Sequence, residues 1–456
     1  MSIIHSTDTI CALSTAIGGA LGVIRVSGPE AFSVVSSLCS VCCDTVAANT
    51  IHYSHIVNTE GETIDAVMVS VFRSPHSYTG EDCVELSCHG SRYILNKVLE
   101  LLVRQGCRMA EPGEFTKRAY LNGKMDLSQA EAVADLIAST NKATHHMAMS
   151  QLRGHFSTQL MQLRDQLLQL TSLLELELDF SDHEDLEFAD RTELLRLAVT
   201  IDQCINSLAH SFQTGQALKN GIPVAIVGKT NVGKSTLLNK LLRDERAIVS
   251  DIHGTTRDTI EDTIDIHGAS FRFIDTAGIR QTTDTIEQIG IDRTYQAIDR
   301  AKTVLWLIDT PPSLEEQQDI ADRCKGKNLI VIANKSDKGT PMSETSIHIP
   351  HSSFIQVSAK YGTNLNALEN AIYEAADLPE ISENDIIVTN ARHYQSLLRA
   401  HEDLARVITG LQDQLPGDLL AEDLRMVLST LADITGGQIT PQETLNNIFS
   451  HFCVGK

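Results

Sequence analysis

The stretch GKTNVGKST, Gly228 to Thr236, directly follows the apolar run Val224-Ala225-Ile226-Val227. The spacing Gly228-x-x-x-x-Gly233-Lys234-Ser235, in a strand-loop-helix context, is that of a phosphate-binding loop. Its glycines let backbone N–H groups converge on phosphates; Lys234 would neutralise β and γ oxygens, and Ser235 would hold Mg2+.

Outward from this loop, short apolar segments recur in βα alternation as far as Pro379: Val224 to Val227, Phe271 to Ile274, Val304 to Ile308, Leu329 to Ala333 and Ile355 to Val357. They predict a mostly parallel sheet covered on both faces. DTAG follows the strand FRFI, so that Asp275 can reach the metal shell and the Gly278 amide can sense a γ-phosphate, with Thr276 and Ala277 between them. NKSD brings Asn334, Lys335 and Asp337 to the end of another strand. The Asp337 carboxylate can accept both N–H donors of the guanine edge, whereas adenine would turn an acceptor towards it. The base is therefore guanine. SAK, with Ser358, Ala359 and Lys360 after FIQV, offers backbone amides to the guanine carbonyl.

Between the first two motifs lies SDIHGTTRD, with the place and composition of a switch loop. Ser250, Asp251, Ile252, His253, Gly254, Thr255 and Thr256 are expected at the nucleotide, Thr256 joining the Mg2+ and leaving it when the γ-phosphate departs. The phosphate loop adds Asn231, Val232, Gly233, Lys234, Ser235 and Thr236 to the GTP-binding set.

The 456 residues exceed one ordinary core and suggest about three domains. Hydrophobic content of 42% and charged content of 21% are those of a folded soluble protein. No stretch approaches the ~18 uninterrupted apolar residues of a membrane span, and the N-terminus lacks a signal pattern; a cytoplasmic location is expected. Ten scattered cysteines, clustered only at Cys39, Cys42 and Cys43, read as small side chains rather than a zinc site. A net charge of −22 repels phosphate backbones, so a nucleic-acid role needs a local basic patch or a basic partner.

The first ~120 residues read as mixed α/β: Leu21 to Gly28 and Asp65 to Phe72 have strand character, and YILNKVLELLVRQG has helical spacing ending on Gly106. From Leu127 long helices take over, with Leu160, Leu163, Leu167, Leu170 and Leu174 forming a core stripe. Thr214 to Pro223 reads as a linker into the α/β domain, and helices return after Pro379. The expected fold class is multidomain, α/β plus α: a mixed α/β domain (1–120), a split helical bundle (121–215 and 380–456) and an inserted Ras-like P-loop GTPase domain (216–379).

With Asn231 in the phosphate loop, GTTRD and DTAGIR, the chain resembles the MnmE (TrmE) family of tRNA-modification GTPases, over nearly its whole length. The resemblance implies a K+ ion held by Asn231, Ser250, Ile252 and Thr255. Such an ion can supply the charge that an arginine finger gives other GTPases, a contribution on the order of 10³ to 10⁵ in rate. It also aligns Glu287 with the family's water-orienting glutamate. Thr230 stands where the family usually has proline.

SYTGEDCVELSCHG and EPGEFTKRAYLNGKMDLSQAEAVADLI are similar to the family's N-terminal region. This implies a folate-binding domain taking a tetrahydrofolate derivative (5-formyl or methylene form) through Arg25, Glu85, Lys124 and Lys456. A carboxylate such as Glu85 can pair with pterin amino and ring N–H groups, and Arg25 or a lysine with folate carboxylates. The loop STAIGGALG is one residue shorter than the family's commoner proline-containing form. The ending through Cys453, Gly455 and Lys456 matches the family's Cys-x-Gly-Lys; the Cys453 thiol suits catalysis or packing alike, and Ile448, Phe449 and Phe452 indicate a docked tail. Lys234, Glu287 and Cys453 are the catalytic candidates.

The family resemblance further implies a homodimer working with an FAD-dependent MnmG (GidA)-type protein in a heterotetramer or larger complex. Together they would modify C5 of the wobble uridine, position 34, of certain tRNAs, with the amine donor either ammonium or glycine. The alternatives are a ribosome-assembly GTPase that binds rRNA and a folate enzyme with a regulatory GTPase domain. The first lacks a basic stripe or an RNA-binding signature in the sequence.

Overall fold

A computed structural model of the chain describes residues 8–179, 191–246, 262–274, 295–338, 342, 344–379, 382, 385–437, 445, 448–450 and 452–455. The chain forms two compact units: Met1–Ile137 with Gln151–Asp202 and Arg399–Lys456, and Ala138–Ser150 with Gln203–Leu398.

In the first unit, β1 (Ile10–Leu13), β2 (Leu21–Ser27), β3 (Thr50–Val57), β4 (Thr63–Phe72), β5 (Cys83–His89) and β6 (Arg108–Met109) form a sheet of order β3-β4-β5-β2-β1-β6. All neighbours are antiparallel except β1 and β6. Alternation along the strands sends Ile24, Val26, Val67, Val69, Leu86 and Cys88 into one core, closed by α1 (Ala31–Leu38) and α2 (Arg92–Arg104). α2 stops as predicted, with Gly106 at φ 105 in the conformation that ends helices. The other sheet face carries Leu21, Val23, Arg25, Met68, Glu85 and Ser87. Beyond the sheet follow α3 (Glu114–Leu121), α4 (Leu127–Ala138), then α5 (Lys142–Leu152), which belongs to the second unit up to Ser150, α6 (His155–Asp179), and α7 (Arg191–Asn220), whose residues from Gln203 on belong to the second unit. On α6, Leu160, Leu163, Leu167, Leu170 and Leu174 are all buried, as their spacing predicts. Each contributes about 1.5–3 kcal/mol of burial.

The second unit holds β7 (Ile222–Val227), α8 (Lys234–Arg246), β8 (Asp262–Ile266), β9 (Ala269–Ile274), β10 (Thr303–Ile308), α9 (Leu314–Arg323), β11 (Asn328–Ala333), β12 (Ser353–Gln356) and α10 (Leu365–Ala375). The sheet order is β12-β11-β10-β7-β9-β8, parallel except for the edge strand β8, which the sequence reading did not include. The linker expected over Thr214 to Pro223 is corrected: α7 runs to Asn220, Gly221 turns at φ 81, and β7 begins at Ile222. Leu218 is buried, and a Cβ at Gly215 would collide with the Val388 carbonyl. That glycine serves close packing rather than flexibility.

The chain returns through α11 (Ala391–Gln412) and α12 (Gly417–Thr435), whose Leu420, Leu424, Val427 and Leu431 are buried; α12 packs on α6. The tail is docked within the first unit. Phe449 and Phe452 bury against Leu127 and Ala130, and Val454 bridges to Pro112. Gly113 N–H donates to the Cys453 carbonyl at 3.3 Å, and Ser14 Oγ to the Gly455 carbonyl at 3.0 Å. No helix among the described residues is long and apolar enough to cross a membrane.

Candidate functional site

β7 pairs with β9 on one side and β10 on the other, so the loop after it opens at the point where the strand order reverses, the usual ligand crevice of such sheets. Gly228 (φ 149), Asn231 (φ 62) and Gly233 (φ 103) bend the loop into the first turn of α8, where Lys234, Ser235 and Thr236 sit. A Cβ at Gly228 would strike the Leu307 carbonyl, and one at Gly233 would strike Asn334 Nδ2. The backbone is thus drawn tightly inward, with the positive end of α8 behind it, which fits phosphate binding. Val232 is buried and anchors the loop. Lys234 Nζ donates to the carbonyls of Gly228 at 2.5 Å and Lys229 at 2.8 Å, and burial lowers its pKa from the usual lysine value. On the outer side, Lys229 pairs with Glu316 of α9 at 2.5 Å.

The NKSD and SAK motifs follow the neighbouring parallel strands β11 and β12. Asn334 is 7% exposed; its Nδ2 donates to the Val232 carbonyl at 2.7 Å and its Oδ1 accepts from Ala359 N–H at 3.0 Å. One side chain therefore joins all three loops. Lys335, at φ 66, donates to the Asn231 main-chain carbonyl at 2.9 Å and to Asp309 Oδ2 at 2.6 Å. Ser358 Oγ donates to Asp337 Oδ1 at 2.7 Å, and this bond lowers the Asp337 pKa, keeping the group an acceptor. Lys360 stands over the Tyr361 ring. Asp309 was missed from the sequence; its only signal is an acid directly after the apolar strand VLWLI.

Ser250, Asp251, Ile252, His253, Gly254, Thr255, Thr256, Asp275, Thr276, Ala277, Gly278, Glu287 and Lys456 lie outside the described residues. Asn231 and Ser235 are thus the described members of the expected K+ and Mg2+ sets.

In the first unit, Arg25 and Glu85 are direct cross-strand neighbours on β2 and β5. Arg25 Nε donates to Glu85 Oε1 at 2.9 Å and Nη2 lies 2.8 Å from the same oxygen, so the ion pair and the hydrogen bond fall on one oxygen. The guanidinium also stands 5.0 Å from the Tyr78 ring centre and 5.5 Å from that of Phe115. Tyr78, bonded to Thr116 Oγ1 at 2.8 Å, and Phe115 were not singled out in the sequence. The charged pair stands beside two aromatic rings, and Glu85 Oε2, outside the pair, is left as an acceptor for the N–H groups of a ligand. Lys124 Nζ donates to the Pro75 carbonyl at 2.8 Å, and Cys453 is exposed on the docked tail.

Comparison with known proteins covers both units. The "GTP-binding protein TrmE N-terminus" family matches residues 9–124 and the "MnmE helical domain" family residues 127–453. A protein of Phocaeicola vulgatus named tRNA modification GTPase MnmE is 52% identical, over 98% of this chain and 99% of the relative. Its namesake in Bacteroides thetaiotaomicron is 52% identical over the same shares, and that of Porphyromonas gingivalis 49% identical over 100% of both chains.

Proposed function

Since the chain belongs to the MnmE family, we propose that it is a tRNA-modification GTPase in which nucleotide state times a one-carbon transfer to the wobble uridine. The observation that carries the guanine assignment is the Asn334 bridge between the phosphate loop and SAK, beside an Asp337 carboxylate held by Ser358. Lys234 and the loop amides would hold the β and γ phosphates, with Ser235 and Thr256 on Mg2+.

Asn231, Ser250, Ile252 and Thr255 would hold K+, whose charge offsets that developing on the leaving oxygen, and Glu287 would orient the water. Residues 1–120 would bind the tetrahydrofolate derivative through Arg25, Glu85, Lys124 and Lys456 and carry the homodimer contact, with 121–215 and 380–456 as the helical domain around the GTPase domain 216–379. The folate would supply the carbon, and Cys453 stands as a catalytic candidate. A charge of −22 favours a division of labour in which an FAD-dependent MnmG-type partner in the cytoplasm carries most tRNA affinity. Mass spectrometry of tRNA nucleosides from cells with and without the protein tests the reading: loss of the C5-modified wobble uridine supports it, and an unchanged profile refutes it.

A further inference from the structure

The end of β10 sets a carboxylate against the NKSD loop. Asp309 directly follows Ile308, whose carbonyl accepts from Asn334 N–H at 2.8 Å, so the ends of β10 and β11 are locked side by side. Lys335, the next residue, leaves β11 at φ 66, and its ammonium is held at two points: Asp309 Oδ2 at 2.6 Å and the Asn231 main-chain carbonyl at 2.9 Å. A lysine ammonium ends a flexible aliphatic stem and is strongly hydrated, and at 33% exposure of the Lys335 side chain water competes for it. The Asp309 carboxylate is the charged contact that fixes its direction.

The consequence for the phosphate loop follows from peptide planarity. In a trans peptide the C=O of one residue and the N–H of the next point in opposite directions. The Asn231 carbonyl turns to Lys335 Nζ and the Val232 carbonyl to Asn334 Nδ2 at 2.7 Å, so two successive carbonyls are tied to the NKSD loop. The N–H groups of Val232 and Gly233 therefore point away from these partners. Asn231 at φ 62 and Gly233 at φ 103 flank Val232, the alternation of backbone hand that makes successive amides converge on an anion.

We propose that Asp309 is a positioning residue for the nucleotide phosphates: by anchoring Lys335 on the Asn231 carbonyl, it keeps the Val232 amide aimed into the phosphate cradle. Without that anchor the peptide between Asn231 and Val232 loses its tie, and its N–H is no longer held towards the phosphates. A carboxylate has the wrong charge for an anion site, and the ion pair with Lys335 offsets it. This role rests on the guanine-nucleotide reading above and goes beyond it.

The test is titration of the full-length protein with a fluorescent GDP analogue in a double-mutant cycle of Asp309→Ala, Lys335→Met and the two combined. Asp309→Ala should weaken GDP binding by about tenfold, the measure of one charge-assisted hydrogen bond. Because Asp309 acts through Lys335, the double variant should bind as Lys335→Met does, with no added loss. Phosphorus NMR of bound GDP gives a readout that a loss of stability alone would not move: the β-phosphate resonance should shift in Asp309→Ala. Asp309→Asn keeps the shape and one acceptor, so its affinity should fall between wild type and Asp309→Ala, and it carries the same cycle if circular dichroism shows the alanine variant unfolded. Unchanged GDP affinity in the Asp309 variants overturns the proposal, as do additive losses across the cycle or an unmoved β-phosphate resonance. Tighter binding by Asp309→Asn overturns it too, since the carboxylate then acts on the phosphates by repulsion. A wild type that binds no GDP overturns the nucleotide reading itself.

Discussion

Replacing Asn334 by alanine removes a side chain that joins the phosphate loop to the NKSD and SAK loops. It strands a buried carbonyl, that of Val232, and a buried N–H, that of Ala359, which Asn334 meets at 2.7 and 3.0 Å. An unsatisfied buried group costs about 1–3 kcal/mol, so the pair costs about 2–6 kcal/mol. For a unit of this size that is a fall on the order of 10 °C in Tm. The stabilisation lost is shared between folding and nucleotide binding, because the same bonds hold the loops in register around Asp337 and Lys234. Affinity for GDP should therefore drop by about tenfold or more. The assay is thermal unfolding with and without GDP, together with titration of a fluorescent guanine nucleotide. A Tm within a degree or two of wild type and unchanged affinity would refute the view that Asn334 couples the loops.

Asp337→Asn replaces an acceptor pair by a donor and an acceptor, so guanine affinity should fall and xanthine affinity rise; unaltered GTP binding rules out the base assignment. GTP turnover should be about tenfold or more faster in potassium than in sodium at equal ionic strength, and equal rates would leave Asn231 as a loop-shaping residue only. Burial pushes the Glu114 pKa up, but bonds from Arg108, the Glu111 N–H and Arg118 outweigh it and hold the carboxyl below the usual glutamate value. Its stabilisation is thus present above about pH 4.3 and lost as pH falls through the lower folded pKa. Acid unfolding of Glu114→Gln should show a flatter dependence in that range than the wild type, and superimposable curves would exclude the residue as a source of acid lability.

Some features were legible in the sequence because the physics that sets them is local. Gly228 and Gly233 are needed within one turn of backbone, the leucines of α6 follow the helical period, and Gly106 ends α2 through its own φ. Each depends on residues a few positions apart. Local composition misled where a distant surface was involved: Thr214 to Asn220 is polar and contains Gly215, yet it is helical, because the missing Cβ admits the Val388 carbonyl and Gln216 Nε2 donates to the Thr389 carbonyl at 2.7 Å. β8 was passed over for a related reason, since an edge strand of alternating character, DTIDI, gains its identity from pairing with β9.

The motifs also left the division of labour among their members open. That Asn334 is a bridge, that Lys335 spans Asn231 and Asp309, and that Arg25 spends its bonds on Glu85 are facts of strand register and loop approach. The hydrogen bond between Asp65 and His89 is of this kind too, since nothing in a separation of 24 residues marks the two as partners. Sequence alone determined which backbone shapes and which chemical groups the chain possesses, because dihedral preference and side-chain type are properties of single residues. Which groups face one another was decided only when β2, β4 and β5, and separately β7, β11 and β12, came together. Hydrogen bonds and ion pairs act over about 3 Å, and only a particular sheet register brings residues so far apart in the chain within that distance.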